Sequence, residues 1–191
     1  MRTRALPAAQ RGGLMIEVLV TIVICIIGLW GLTQVQARLQ LSEMESYQRT
    51  QALMLLEDMV TRIELNRANA ADYVTGTSSP LGVGYPGDCP AAGTDLATDD
   101  QGDWCVALRG AAEQIGTTRV GAMLGARGCV ESTGTDQYMI TVAWQGLAPL
   151  DAPPDSVACG KNAFDEVGSA CVDDRCRRVV TSIVRIGDLG L

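Results

Sequence analysis

From Leu14 to Leu32 the chain reads LMIEVLVTIVICIIGLWGL, nineteen residues in which Glu17 is the single charge. A helix of that length spans about 28 Å, close to the hydrocarbon thickness of a bilayer. The run is therefore a membrane segment, and whatever else the 191 residues form must be built on one side of it. The residues before it hold Arg2, Arg4 and Arg11 and no acid, so they contribute +3 to a net charge of −7 and leave −10 for the rest. Basic flanks stay on the cytoplasmic side, which predicts an N-terminus inside and an acidic remainder outside. Such a remainder has no broad positive field with which to displace phosphate counterions, and no nucleic-acid partner is expected. Histidine is absent. That excludes Ser-His-Asp and Cys-His nucleophile systems and every His-ligated metal site, and no catalytic residues are assigned.

A secretory signal peptide shares the basic flank and apolar run but ends in a small-residue cleavage site. Here the run exceeds the ~7–15 residues of a usual signal core. The sequence after it, GLWGLTQVQARLQ, has no A-x-A-like site. Small residues lie instead just before the run, at Gly12 and Gly13. Glu17 is the odd member, because an acid at the centre of a membrane helix costs ~2.5–3.5 kcal/mol on insertion scales. Either it pairs with a cation there, or it sits close enough to the interface to reach water.

The segment RGGLMIEVLV, residues 11–20, resembles the processing site of type IV prepilins and pseudopilins. In that family a short basic leader ends in glycine before an apolar helix with glutamate at its fifth mature position. Setting Glu17 at position five puts the cut between Gly12 and Gly13. The resemblance then implies cleavage by the prepilin peptidase of the inner membrane and N-methylation of Gly13. The first mature residue is usually phenylalanine, and glycine stands here; a cut after Gly13 would put Glu17 at position four. In a filament of staggered parallel helices the free amine of Gly13 on a neighbouring subunit would neutralise Glu17.

Beyond the anchor, Leu53, Leu56, Val60 and Ile63 recur at helical spacing, with Leu39, Met44 and Tyr47 upstream and charges mostly between them. No proline occurs between Pro7 and Pro80, so one helix is expected from about Leu14 to about Asn69. Its outer stripe would face either a head domain or a coiled-coil partner. Gly28 and Gly31 would allow a bend or close helix packing. The expected organisation is a leader at 1–12, a transmembrane part at 13–33, an amphipathic part at 34–69 and a globular head at 70–191. Residues 76–103 read as a pinned loop, and Trp104, Leu108, Ala111 and Ile115 suggest a short second helix. Cys129–Ser132 and Tyr138–Gln145, separated by TGTDQ, read as a hairpin, with a last strand at Arg178–Ile186 and a loop over 146–177. The fold class is α+β: a long helix on a small antiparallel sheet.

Seven cysteines divide as one plus six. Cys25 lies in the membrane run, where a buried inert thiol is expected. Cys89, Cys105, Cys129, Cys159, Cys171 and Cys176 lie beyond the crossing, outside the reducing cytoplasm, and predict disulfides. Six cysteines allow 15 connectivities. Closeness in sequence favours Cys89–Cys105, Cys129–Cys159 and Cys171–Cys176. Without CxxC pairs a zinc site is disfavoured. Asp95, Asp99, Asp100 and Asp103 could offer calcium ligands, but their spacing is not that of an EF-hand and a solvated loop is the simpler reading. Asp173 and Asp174 are expected to pair with Arg175, Arg177 and Arg178 at the surface. No cofactor and no metal are expected.

The C-terminal features GCV, AWQG, CG and RRVVTSIVRI look like minor pilins of the PilV type. That resemblance implies a subunit stored in the bacterial inner membrane with its head in the periplasm. It would enter a pilus among other minor and major pilins, at or near the tip, to prime assembly. A minor pseudopilin of type II secretion shares the processing site and the helix. A membrane-anchored periplasmic enzyme or binding protein is the third expectation.

Overall fold

The computed structural model describes residues 13–93, 95–110, 114–115, 118–119 and 123–187. The expected leader with Gly12, and Ala111, lie outside the described residues. The chain forms two compact units, the first ending at Glu43 and the second beginning at Met44. Helix α1, Gly13–Leu65, supplies the described part of the first and the opening of the second.

In the first unit α1 is apolar and uncovered. Its most apolar window has a mean hydropathy of 2.5, with none of it buried inside the protein. It is long and apolar enough to cross a membrane. The hydroxyls of its two threonines need no water, since Thr21 Oγ1 donates to Val18 O and Thr33 Oγ1 to Trp30 O, both at 2.8 Å. The helix runs unbroken through Gly28 and Gly31, around which a side chain would meet open space.

In the second unit α1 buries Gln48, Ala52, Leu56, Met59, Val60 and Ile63. Four of the seven apolar residues named from periodicity therefore face outward: Leu53 is 47% exposed and Tyr47 48%, and Leu39 and Met44 are exposed as well. The stripe is rotated because small and flexible side chains, Ala52 and Met59, fill the contact where large aliphatic ones were sought. The head core covers this stripe, with Trp104, Ile140, Val142 and Trp144 in the same cluster. No coiled-coil partner is needed for it.

Helix α1 also stops earlier than Asn69. At Asn66 the backbone leaves helical geometry, and a 3₁₀ helix follows over Arg67–Tyr73. Asparagine amides compete there with the helical ladder: Asn69 Nδ2 donates to Asn66 Oδ1, and Asn66 Nδ2 to Tyr73 Oη.

Helix α2, Leu96–Leu108, begins eight residues before the expected second helix and ends short of Ile115, which lies in a two-residue strand. Asp95 starts it, accepting from Thr98 N at 2.8 Å as an N-cap. The last eight residues of the expected loop 76–103 are thus helix.

The main sheet is antiparallel, in the order β1 (Leu81–Gly82), β4 (Arg127–Gly134), β5 (Gln137–Gln145), β6 (Arg177–Arg185); β2 (Gln114–Ile115) and β3 (Thr118–Arg119) pair separately. The hairpin β4–β5 turns at Asp136, whose φ of 52° is tolerated by an Asp in a tight turn. Tyr138, Ile140, Val142 and Trp144 alternate onto the face that joins the main core. Cys129 and Ala143 point the other way, into a second small cluster with Cys159 and Phe164 of the 146–176 loop. Gly128 is required by Trp104, whose ring occupies the space a Cβ would need.

Candidate functional site

Glu17 sits on α1 in its first exposed turns, with Met15, Ile16, Val18 and Leu19 exposed around it. Among the described residues nothing hydrogen-bonds to it or pairs with it. Gly13 is the first residue of the helix, one turn before Glu17. A carboxylate in this position can do two things: reach water at a membrane boundary, or accept a cation that another molecule brings to it. Cys25 is free and exposed rather than buried, since no part of the described chain covers that stretch of helix.

In the head, three disulfides join Cys89–Cys105, Cys129–Cys159 and Cys171–Cys176. The first ties the loop after β1 to α2, the second ties β4 to the long loop, and the third closes the base of that loop against β6.

The four aspartates do not converge. Asp95 is the cap of α2, and Asp99 Oδ1 accepts from Gly93 N at 2.7 Å. Asp100 accepts from Arg62 Nη1 at 2.6 Å and from Tyr73 Oη at 2.5 Å, and Asp103 lies 3.7 Å from Arg62. Each carboxylate thus has a structural task, and no group of metal-ligand type occurs among the described residues. Asp100 is the centre of this arrangement, locking α1, the 3₁₀ helix and α2 together. Burial, reinforced by the bond to Asp100, pushes the Tyr73 hydroxyl up to about 12, so it remains a donor throughout the neutral range.

The Asp173–Arg178 segment also departs from a surface network. Arg177 and Asp174 are buried and 3.1 Å apart. Arg177 Nη1 donates to the carbonyls of Val157 and Cys159, and Asp174 Oδ1 accepts from Asn162 N, so the pair organises the long loop from within. Arg178 reaches Glu45 on α1 at 2.8 Å. Of the pairings that sequence adjacency suggested, Arg177–Asp174 forms, inside the head rather than at its surface, while strand alternation sends Arg178 to the opposite face. Arg127 escaped notice altogether. It lies over the Phe164 ring at 5.3 Å, and burial pulls its guanidinium below the usual value.

A cleft of about 260 Å³ is lined by Asp88, Cys89, Pro90, Asp99, Asp103 and Arg109 among others. Its thiol is locked in a disulfide and its arginine donates to the carbonyls of Gly82, Tyr85 and Gly87, so neither is free to act on a ligand. Comparison with protein-family models, with curated protein sequences and with solved structures returns no match. The functional reading therefore rests on the chain's own residues.

Proposed function

We propose that this chain is a minor pilin of a type IV pilus. It is cut by prepilin peptidase between Gly12 and Gly13, held in the inner membrane with its head in the periplasm, and incorporated at or near the filament tip to prime assembly. The observation that carries the reading is Glu17: one acid in an otherwise uncharged apolar run, four residues after a glycine pair that closes a basic leader. A carboxylate there is tolerated in lipid only with a cation at hand, and the terminal amine of a neighbouring subunit's Gly13 supplies one. A three-disulfide head agrees with an oxidising compartment.

Glu17→Ala tests the pairing. The leader of the variant should still be cleaved, because the cut lies at the glycines. Its membrane insertion should equal or exceed that of wild type, since the change removes ~2.5–3.5 kcal/mol of opposition to insertion. Incorporation should fail, so that blots of fractionated cells find the subunit in the inner membrane and depleted from sheared pili. Undiminished abundance in the sheared fraction would leave Glu17 as an acid dwelling at the interface. An uncleaved leader would assign it to peptidase recognition instead.

A further inference from the structure

The loop between β5 and β6, residues 146–176, collects the strained backbone of the head. Outside the β4–β5 turn, the non-glycine residues with positive φ among the described residues are Asn162 at 57°, Asp173 at 55° and Asp174 at 59°. Asp and Asn enter this left-handed region singly; two in succession stay there only where their surroundings hold them. Asp173 and Asp174 lie inside the ring that Cys171–Cys176 closes, at a sequence separation of 5. Neither of the other two bridges encloses such a pair.

The ring matters to the whole loop because Asp174 is its clasp. Asp174 Oδ1 accepts from Asn162 N at 2.7 Å, and Asp174 N donates to Asp165 Oδ1 at 2.9 Å. Its other carboxylate oxygen lies 3.1 Å from buried Arg177, whose Nη1 holds the carbonyls of Val157 and Cys159. The carbonyl of Cys171 accepts from Glu166 N at 2.8 Å. The bridges also differ in how they can be reached. Cys105, Cys129 and Cys159 are fully buried, and Cys89 packs against the main core. Cys171 is half-buried and belongs to neither core cluster, while its partner Cys176 is 1% exposed.

We propose that Cys171–Cys176 is a redox latch: a dithiol opens this bridge in the folded head and frees residues 160–176, while Cys129–Cys159 stays closed and keeps the loop tethered to β4. A thiolate of the dithiol attacks Cys171 Sγ, forming a mixed disulfide and expelling Cys176 as a thiolate that takes up a proton. The second sulfur of the dithiol then attacks its first, leaving the reductant as a disulfide and Cys171 as a thiol. Two electrons pass from the dithiol to the bridge. With the ring open, Asp173 and Asp174 relax out of the left-handed region, and Asp174 releases Asn162 and Asp165. Phe164, which lies between those two residues in the chain and over Arg127, loses its support on the sheet. The latch needs only a dithiol, and does not require the chain to enter a filament.

The test uses the full chain in detergent, under native conditions, with dithiothreitol as the dithiol. Aliquots are alkylated over time and the labelled cysteines located by peptide mass spectrometry; Cys25, free from the start, is left out of the comparison. Cys171 and Cys176 should become labelled together, about tenfold or more faster than the four cysteines of the other bridges. Amide exchange at Asn162, Glu166 and Asp174 should then quicken about tenfold or more, while the amides of the β5–β6 ladder keep their protection. Removing the dithiothreitol and adding oxidised glutathione should restore the slow exchange. Cys171→Ser combined with Cys176→Ser should show the fast exchange without reductant and no further response to it. If that variant does not fold, the time course on the unaltered chain still decides. Opening of either other bridge as early as Cys171–Cys176, or unchanged exchange at the three amides once it is open, would overturn the proposal. So would loss of the ladder's protection along with it, or fast exchange that re-oxidation does not reverse.

Discussion

Trp104→Ala should unfold the head more readily than any other single truncation, with a loss of about 3–5 kcal/mol, the range for removing a buried aromatic side chain. Trp104 is fully buried, its ring fills the space left by Gly128, and its Nε1 donates to Leu55 O of α1 at 2.8 Å. The truncation leaves a cavity among α1, α2 and β4, with a helix carbonyl deprived of its extra donor. A guanidinium titration of the detergent-solubilised protein, followed through the emission of buried Trp144, measures it. Leu53→Ala on the same helix is the control: with its side chain half exposed, it should change stability within about 0.5 kcal/mol. A large loss at Leu53 with about 1 kcal/mol or less at Trp104 would return the buried face of α1 to the position periodicity first suggested.

The second large effect concerns the disulfides. Cys129–Cys159 closes 30 residues, Cys89–Cys105 closes 16, and Cys171–Cys176 closes 5. Loop-closure entropy in the unfolded chain grows with the logarithm of that length, giving about 3.6 kcal/mol for the first, about 3 for the second and about 2 for the third. Paired Cys→Ala variants should therefore lower the unfolding midpoint in that order. The Cys129/Cys159 pair should suffer further, because both residues are fully buried beside Phe164, in the cluster that holds the long loop on the sheet. Equal losses for all three pairs, or the greatest loss for Cys171/Cys176, would mean that loop entropy does not govern how these bridges act.

What could be read from the sequence follows from which signals are local. The course of α1 was legible, because a proline-free stretch with an apolar beginning leaves the backbone no reason to turn before the asparagines at 66 and 69. The hairpin was legible because Tyr138, Ile140, Val142 and Trp144 alternate strictly, and the pairing of the six head cysteines followed from reading the apolar run as a membrane anchor. The buried face of α1 was not, since burial there is decided by how closely the head approaches, and Ala52 and Gln48 carry no hydrophobic signal of that. The start of α2 was hidden by its own cap: Asp95 and the acids behind it resemble a ligand loop when counted as charges, while Asp95 with Thr98 three residues on is a helix start. Asp100 was missed in kind, whereas for Arg177 the local pairing with Asp174 was legible and its burial was not. The partners that decide both, Arg62 and Tyr73 in one case and the loop carbonyls of Val157 and Cys159 in the other, are brought to them only by the tertiary fold.

The central claim is that the basic segment is a prepilin leader and the apolar helix a filament helix rather than a signal sequence. Intact-mass and N-terminal peptide mass spectrometry of the protein purified from its native membrane tests it most directly. The account predicts a mature chain that begins at Gly13, lacks residues 1–12 and carries a methyl group on its terminal amine, with Glu17 at position five. A mature chain that retains the leader, or one cut on the far side of Leu32 so that the apolar run is lost, would contradict it.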